Sequence, residues 1–405
     1  MILFPKDLLS KFLLLLCALV IGVSIDYIIK QDRWSPIDEY AHFDYIEKVI
    51  DGDLPAISDP ISDELFYSIV ADSSRSANGK VVSRDQLGIA NYSYEGIHPP
   101  LYYCLLALPN ILLKELDIPV FGRLQVLRIF SYLFFVVGMF LCIPLFKVIA
   151  FKYPIPPFYA YGCILFGLLI IPNQRYGLSN NMLSPLVINL TALFLFKYLR
   201  HPIRRNFLMF NLFSCFSVYV AISNLFLLPF LYIPLFYKFY SNFSIRTFLY
   251  SLLIFAAGIA LFVYWKMTTL PVPLFDYHFQ NILAAFIPAG LVDYPTFLTF
   301  WLDNLFQLPI VNDNFNIKWI IIGFVFFNLF LSIVFIRSII NKFKWVFYFA
   351  FMFVGLFLIT FILNKYVPKV HWAAFRHYLG FMPVIYVSFS FWIVLVYNRF
   401  FKQPD

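Results

Sequence analysis

Long stretches with no Asp, Glu, Lys or Arg recur along this chain and limit its fold more than any motif does. They cover 12–25, 129–146, 155–172, 182–196, 206–237, 247–265, 319–336, 345–363 and 378–398. A hydrocarbon core of about 30 Å takes about 20 apolar residues per helix. The 206–237 stretch accommodates two passes with a turn near Asn224, so about ten spans are expected. With 61% hydrophobic, 21% aromatic and 13% charged residues, the composition lies outside the range of soluble domains and within that of polytopic membrane proteins. The expected fold is an all-α polytopic membrane protein, one integral-membrane domain over 1–405.

Lysine and arginine concentrate in loops on the cytoplasmic side of a membrane. Lys6, Lys11, Lys147, Lys152, Lys197, Arg200, Arg204, Arg205, Lys238, Arg246, Arg337, Lys342, Lys344, Arg399 and Lys402 make a consistent inner set, with both termini inside. The segments 31–127, 173–181, 266–317 and 364–377 then face outward and hold most of the carboxylates. A full crossing at 100–113 would invert every later loop. Pro109 and a length of about fourteen apolar residues instead predict a broken, half-inserted or interfacial element there.

The net charge of +8 follows from this positive-inside bias and implies no nucleic-acid partner. Cys17, Cys104, Cys142, Cys163 and Cys215 all lie in apolar segments, so neither a disulfide framework nor a CxxC metal site is expected. The first apolar run is span-length and lacks a small-residue cleavage site, which predicts an uncleaved signal anchor.

Two polar segments interrupt this pattern: a first outer loop over 31–98 and a second, proline-rich one over 266–317. In the first, Ile37, Tyr40, Ala41, Ile46, Val49 and Ile50 predict an amphipathic helix along the membrane interface. Ser73 to Arg84 reads as a mobile loop. In the second, Pro271, Pro273, Pro288, Pro295 and Pro309 among aromatics predict interfacial helices and turns. No fixed-period repeat and no Walker, Rossmann or zinc-protease motif is present.

Chemistry concentrates at the two edges of the first outer loop. Ser35, Pro36 and Asp38 form a capping-box-like helix start, which accounts for Asp38 alone. It does not account for Glu39 with His42, which stands four residues after Asp38 and three after Glu39 and so shares a helical face with both. An aspartate at a helix N-terminus is ionised at neutral pH and suits a general base. Glu39 would orient that base, hold an acceptor or help bind a divalent ion, although the motif supplies too few oxygen ligands for a metal by itself. At the far edge, Glu95 and His98 precede Pro99-Pro100, whose rings fix the chain's entry toward the bilayer. His98, Tyr102 and Tyr103 serve equally as site residues or as interfacial anchors.

Arg175, Lys365, Lys369 and Arg376 break the charge rule by falling outside, Arg175 close to Asn181 and Arg376 beside His371, His377 and Tyr378. Cations there would stabilise a departing phosphate or, more simply, touch lipid headgroups.

Pro36-Ile37-Asp38-Glu39 with His42, followed by His98-Pro99-Pro100-Leu101-Tyr102-Tyr103, resembles the GT-C superfamily of polytopic glycosyltransferases. Ser179-Asn180-Asn181 and Arg376-His377-Tyr378 with Pro383 resemble further landmarks of one bacterial branch. An Asn-Asp pair and a Gly-Arg-Tyr triplet are usual in that branch; here Asn181 stands in place of the acid and Phe375 in place of the glycine. The resemblance implies inverting transfer of a sugar from a polyprenyl-phosphate donor to a glycan or glycolipid acceptor, such as O-antigen of lipopolysaccharide, on the periplasmic face of a bacterial inner membrane. It implies Asp38 as the base, with Arg175 and Arg376 near the carrier phosphate and His42, Glu95, His98, Tyr102, Asn181, His377 and Tyr378 at the substrates. A lipid-linked sugar flippase and a noncatalytic assembly subunit are the rival readings. Spans nearly free of charge favour an enzyme with its working groups at the membrane rim over a transporter.

Overall fold

A computed structural model describes residues 7–31, 34, 39–55, 59–72, 93–149, 158–170, 177–221 and 224, together with scattered positions between 249 and 261. Among them the chain is helical and has no strands. The helices are α1 (Leu8–Lys30), α2 (Glu39–Ile50), α3 (Asp63–Ala71), α4 (Leu101–Glu115), α5 (Val120–Phe140), α6 (Cys142–Ile149), α7 (Phe158–Ile170), α8 (Ser184–Arg200) and α9 (Arg204–Val220). Single 3-10 turns, Tyr94–Ile97 and Asn180–Leu183, lead into α4 and α8.

Among the described residues three stretches are long and apolar enough to cross a membrane: Leu8–Lys30, Val120–Val148 and Asn180–Arg200. At 23 residues α1 is about 34 Å long, sufficient for a hydrocarbon core. Its Leu8, Phe12, Leu15, Leu19 and Val23 are exposed, the surface of a helix whose solvent is lipid. Asp7 caps it by accepting the Ser10 N–H at 2.7 Å. The Val120–Val148 stretch is two helices broken at Leu141, because Pro144 has no N–H to offer the Phe140 carbonyl. In the 206–237 stretch α9 stops at Val220, and Ala221 is extended at φ −151° and ψ 132°. Asn224 then donates to Ser184 Oγ at 3.0 Å and to the Ser217 carbonyl at 2.8 Å, so the chain ends a helix close to the expected turn. The last three apolar stretches of the sequence and the 266–317 and Ser73 to Arg84 loops lie outside the described residues.

Pro109 does not break α4, contrary to expectation. The helix runs through it for 15 residues. One side of α4 buries Tyr102, Tyr103, Leu106, Ala107 and Asn110, and this packing offsets the single backbone hydrogen bond that proline forfeits. Its length of about 22 Å stays below the hydrocarbon thickness. Leu108, Ile111 and Leu112 form an exposed apolar stripe on the other side. The helix ends where Asp117, at φ 52°, lets the Ile118 N–H reach back to the Leu113 carbonyl. Gly52 ends α2 in the same way, at φ 87°.

The second expectation to change concerns α2. It is a helix over Glu39–Ile50, but it does not float on an interface with its polar side wet. Glu39, His42, Asp44 and Glu47 are buried along with Tyr40, Ala41, Phe43, Tyr45 and Ile46. Every one of these polar groups has a partner inside the protein, as set out below, so burial costs no unpaired charge. Trp34, Phe43, Ile46, Leu65, Ile69, Tyr103, Leu106, Leu124 and Leu127 form the apolar core that joins α2 to α3, α4 and α5.

Helices α5 and α8 approach closely at Gly138. A Cβ built there would lie 2.5 Å from the Leu186 amide nitrogen and 2.8 Å from the Pro185 carbonyl carbon. Asn189 ties the same contact by donating to the Gly138 carbonyl at 2.9 Å. Gly138→Ala should therefore cost about 1–3 kcal/mol through overpacking against backbone that cannot yield. Thermal unfolding in detergent checks this, and an unchanged midpoint would refute the close approach.

Candidate functional site

Three segments far apart in sequence meet around the start of α2 and the start of α4. Glu39, the first residue of α2, is wholly buried. Arg128 of α5 donates to it through Nε to Oε1 at 2.8 Å and through Nη2 to Oε2 at 2.5 Å. Oε1 also accepts the Leu178 N–H at 2.9 Å. Oε1 thus takes two N–H donors and Oε2 one, the pattern of a buried, charge-assisted ion pair. Among the described residues no group of three or more His, Cys, Asp or Glu side chains is arranged to hold a metal ion.

One turn on, His42 occupies the same side of α2. Its Nδ1 is 2.8 Å from the Tyr103 hydroxyl and 3.5 Å from Glu95 Oε2. His98 Nε2 lies 2.9 Å from that same Glu95 oxygen. A buried carboxylate therefore sits between two imidazoles, whose rings are stacked at 6.2 Å between centroids. Tyr45 stacks on Tyr103 at 3.8 Å and donates its hydroxyl to the His98 carbonyl at 3.1 Å. Burial, with Cys104 and Glu95 adding to it, pushes the Tyr45 phenol far above its ordinary range, so it stays protonated and keeps that bond. The Pro99-Pro100 step then starts α4, which fixes both tyrosines relative to the histidines.

Tyr102 and Tyr103 are adjacent on α4 and serve the two halves of the site. While Tyr103 meets His42, the Tyr102 hydroxyl accepts the Ser179 N–H at 3.0 Å and lies 2.8 Å from Ser131 Oγ of α5. Two consecutive amides of the α7–α8 connection, Leu178 and Ser179, are thus held by side chains from α2 and α4. This fixes Ser179, whose hydroxyl lies 3.4 Å from both the backbone nitrogen and Nδ2 of Asn181. Asn181 lies at the edge of burial, and Asn180 turns away to donate to the Val220 carbonyl at 3.1 Å. Tyr102→Phe should leave the half-buried Ser179 N–H without this partner at a cost of about 1 kcal/mol. Hydrogen exchange at Ser179 reads the effect, and unchanged protection in the variant would contradict the assignment.

The structure thus gathers Glu39, His42, Glu95, His98, Tyr102 and Asn181 into one region. Asp38, Arg175, Arg376, His377 and Tyr378 lie outside the described residues, as do the Ser35 to Asp38 capping box and Lys365, Lys369 and His371.

Sequence reading missed the charges that anchor this region. Arg123 of α5 is 2% exposed and donates to Glu47 at 2.8 Å and to Glu64 of α3 at 2.8 Å. Asn110 donates to the same Glu47 oxygen at 2.5 Å, and Lys114 lies 3.2 Å from the other. A further cluster ties α2 to the start of α3 and to Ser93. Asp44 accepts the Ser62 N–H at 3.2 Å and the Ser93 hydroxyl, while Lys48 donates to Ser93 Oγ at 2.8 Å and to the Pro60 carbonyl at 2.9 Å. Arg123 and Arg128 lie in the first turns of the Val120–Val148 stretch, ahead of its charge-free window at 129–146. Their available signal was two arginines five residues apart opening a long apolar helix, a placement that is expensive unless each is paired.

No protein-family model matches this chain, and no curated protein matches it.

Proposed function

We propose that this protein is an inverting membrane glycosyltransferase that moves a sugar from a polyprenyl-phosphate carrier to an acceptor hydroxyl. What supports the reading is the meeting of α2's Glu39 and His42, the Glu95-His98-Tyr102 segment and the Ser179–Asn181 segment, since these are three of the stretches on which the resemblance rests. In the proposed reaction Asp38 takes the acceptor's hydroxyl proton. The acceptor oxygen attacks the anomeric carbon, a new C–O bond forms with inversion, and the bond to the carrier's phosphate oxygen breaks. The electron pair leaves on the phosphate, where Arg175 and Arg376 would stabilise the added charge. Glu39 orients the base, and His42, Glu95 and His98 offer hydrogen bonds to sugar hydroxyls. The carrier's tail lies against the apolar helix surfaces, with the site facing the periplasm of a bacterial cell.

A mass spectrum of envelope glycans from cells with and without the protein tests the proposal. Loss of one sugar unit from one glycan class supports transfer. Unchanged glycans, or accumulation of carrier-linked sugar on the inner leaflet as a flippase defect would give, would refute it.

A further inference from the structure

Arg128 and Glu39 are both entirely buried, and their pairing joins four parts of the chain. Arg128 Nη1 donates to the Gln31 carbonyl at the end of α1 at 2.8 Å, while its Nε and Nη2 hold Glu39 at the start of α2. Glu39 in turn accepts the Leu178 N–H from the α7–α8 connection. Stability alone is a weak reason for such a pair, because well-packed apolar side chains of similar size usually replace a buried ion pair without loss. Position is a stronger reason. The guanidinium fork fixes both distance and orientation of a carboxylate, as an ammonium group cannot.

Resting on the transferase reading above, we propose that Arg128 and Glu39 are the positioning pair of this site: they hold the start of α2 in register with the α7–α8 connection. Glu39 is next in sequence to Asp38, the proposed base, and Leu178 is three residues before Asn181. The pair therefore controls how the acid of one segment meets the substrate groups of another. Its loss acts on the chemical step more than on substrate capture, because misplacement by about 1 Å costs on the order of 100-fold in rate.

The test uses the full-length protein in liposomes with a panel of polyprenyl-phosphate hexoses and pentoses and an envelope-glycan acceptor. In the double variant Glu39→Met/Arg128→Met, which removes both charges together, kcat should fall on the order of 100-fold with KM for the carrier-linked sugar unchanged. Arg128→Lys keeps the charge but loses the fork, and it should lower kcat by on the order of tenfold, again at constant KM. The lysine variant decides the matter alone if the double variant does not fold. Wild-type kcat in either folded variant, or a rise in KM at constant kcat, overturns the positioning role while leaving the transferase reading intact. A wild-type protein that transfers none of the sugars removes both.

Discussion

Asp38→Asn should lower the rate of sugar transfer by roughly 10²–10⁴-fold, the usual contribution of a positioned general base. Asparagine keeps the size of the side chain and its capacity to cap a helix. It takes away only the ability to accept a proton. The effect should appear in kcat, because the acceptor hydroxyl becomes a strong nucleophile only as its proton leaves. The neighbouring Glu39 gives no rescue, since Arg128 and the Leu178 N–H already occupy its carboxylate. Label transfer in proteoliposomes measures the rate, and a melting curve of the same preparation shows that the variant is folded. A folded variant with near-normal turnover would remove Asp38 as the base.

Arg123→Met should destabilise the protein by about 1–3 kcal/mol, the cost of removing one charge-assisted hydrogen-bond partner from a largely buried carboxylate that keeps a second cation. Glu47 would keep Asn110 and the half-exposed Lys114, but its Oε1 would lose the Arg123 Nη1 at 2.8 Å. Glu64, exposed on α3, would lose a partner at little cost. Against a typical total stability of about 5–15 kcal/mol, the single variant should unfold at a clearly lower temperature. The double variant Glu47→Leu/Arg123→Leu should regain most of the loss, as apolar replacement of both partners removes the desolvation cost of the pair. Thermal midpoints of the two variants decide the point. A single variant as stable as wild type would mean that the α2–α5 link carries no weight.

Local rules succeeded where structure depends on local residues. The charge-free windows at 12–25 and 182–196 fall within α1 and the Asn180–Arg200 stretch, and the turn expected near Asn224 follows the end of α9. The three-residue spacing of Glu39 and His42 does place both on the inward side of α2. Long-range pairings were invisible. Glu39 meets an arginine 89 residues away and an amide 139 residues away, and no periodicity encodes either. The burial of α2 follows from those partners, which is why its polar residues suggested a wet interface when read alone. Pro109 failed as a breaker for a related reason: five buried neighbours on α4 outweigh one missing N–H. The same tertiary pairing moved Arg123 and Arg128 from the edge of an apolar window to the anchors of the candidate site.

The most direct measurement follows both products of one reaction. Purified protein in liposomes receives a polyprenyl-phosphate sugar labelled at the anomeric carbon, together with an envelope-glycan acceptor. Our account predicts labelled glycoside of inverted configuration and free polyprenyl phosphate in equal amounts. Intact donor that has only changed leaflet, with no new glycoside and no released carrier, would contradict it.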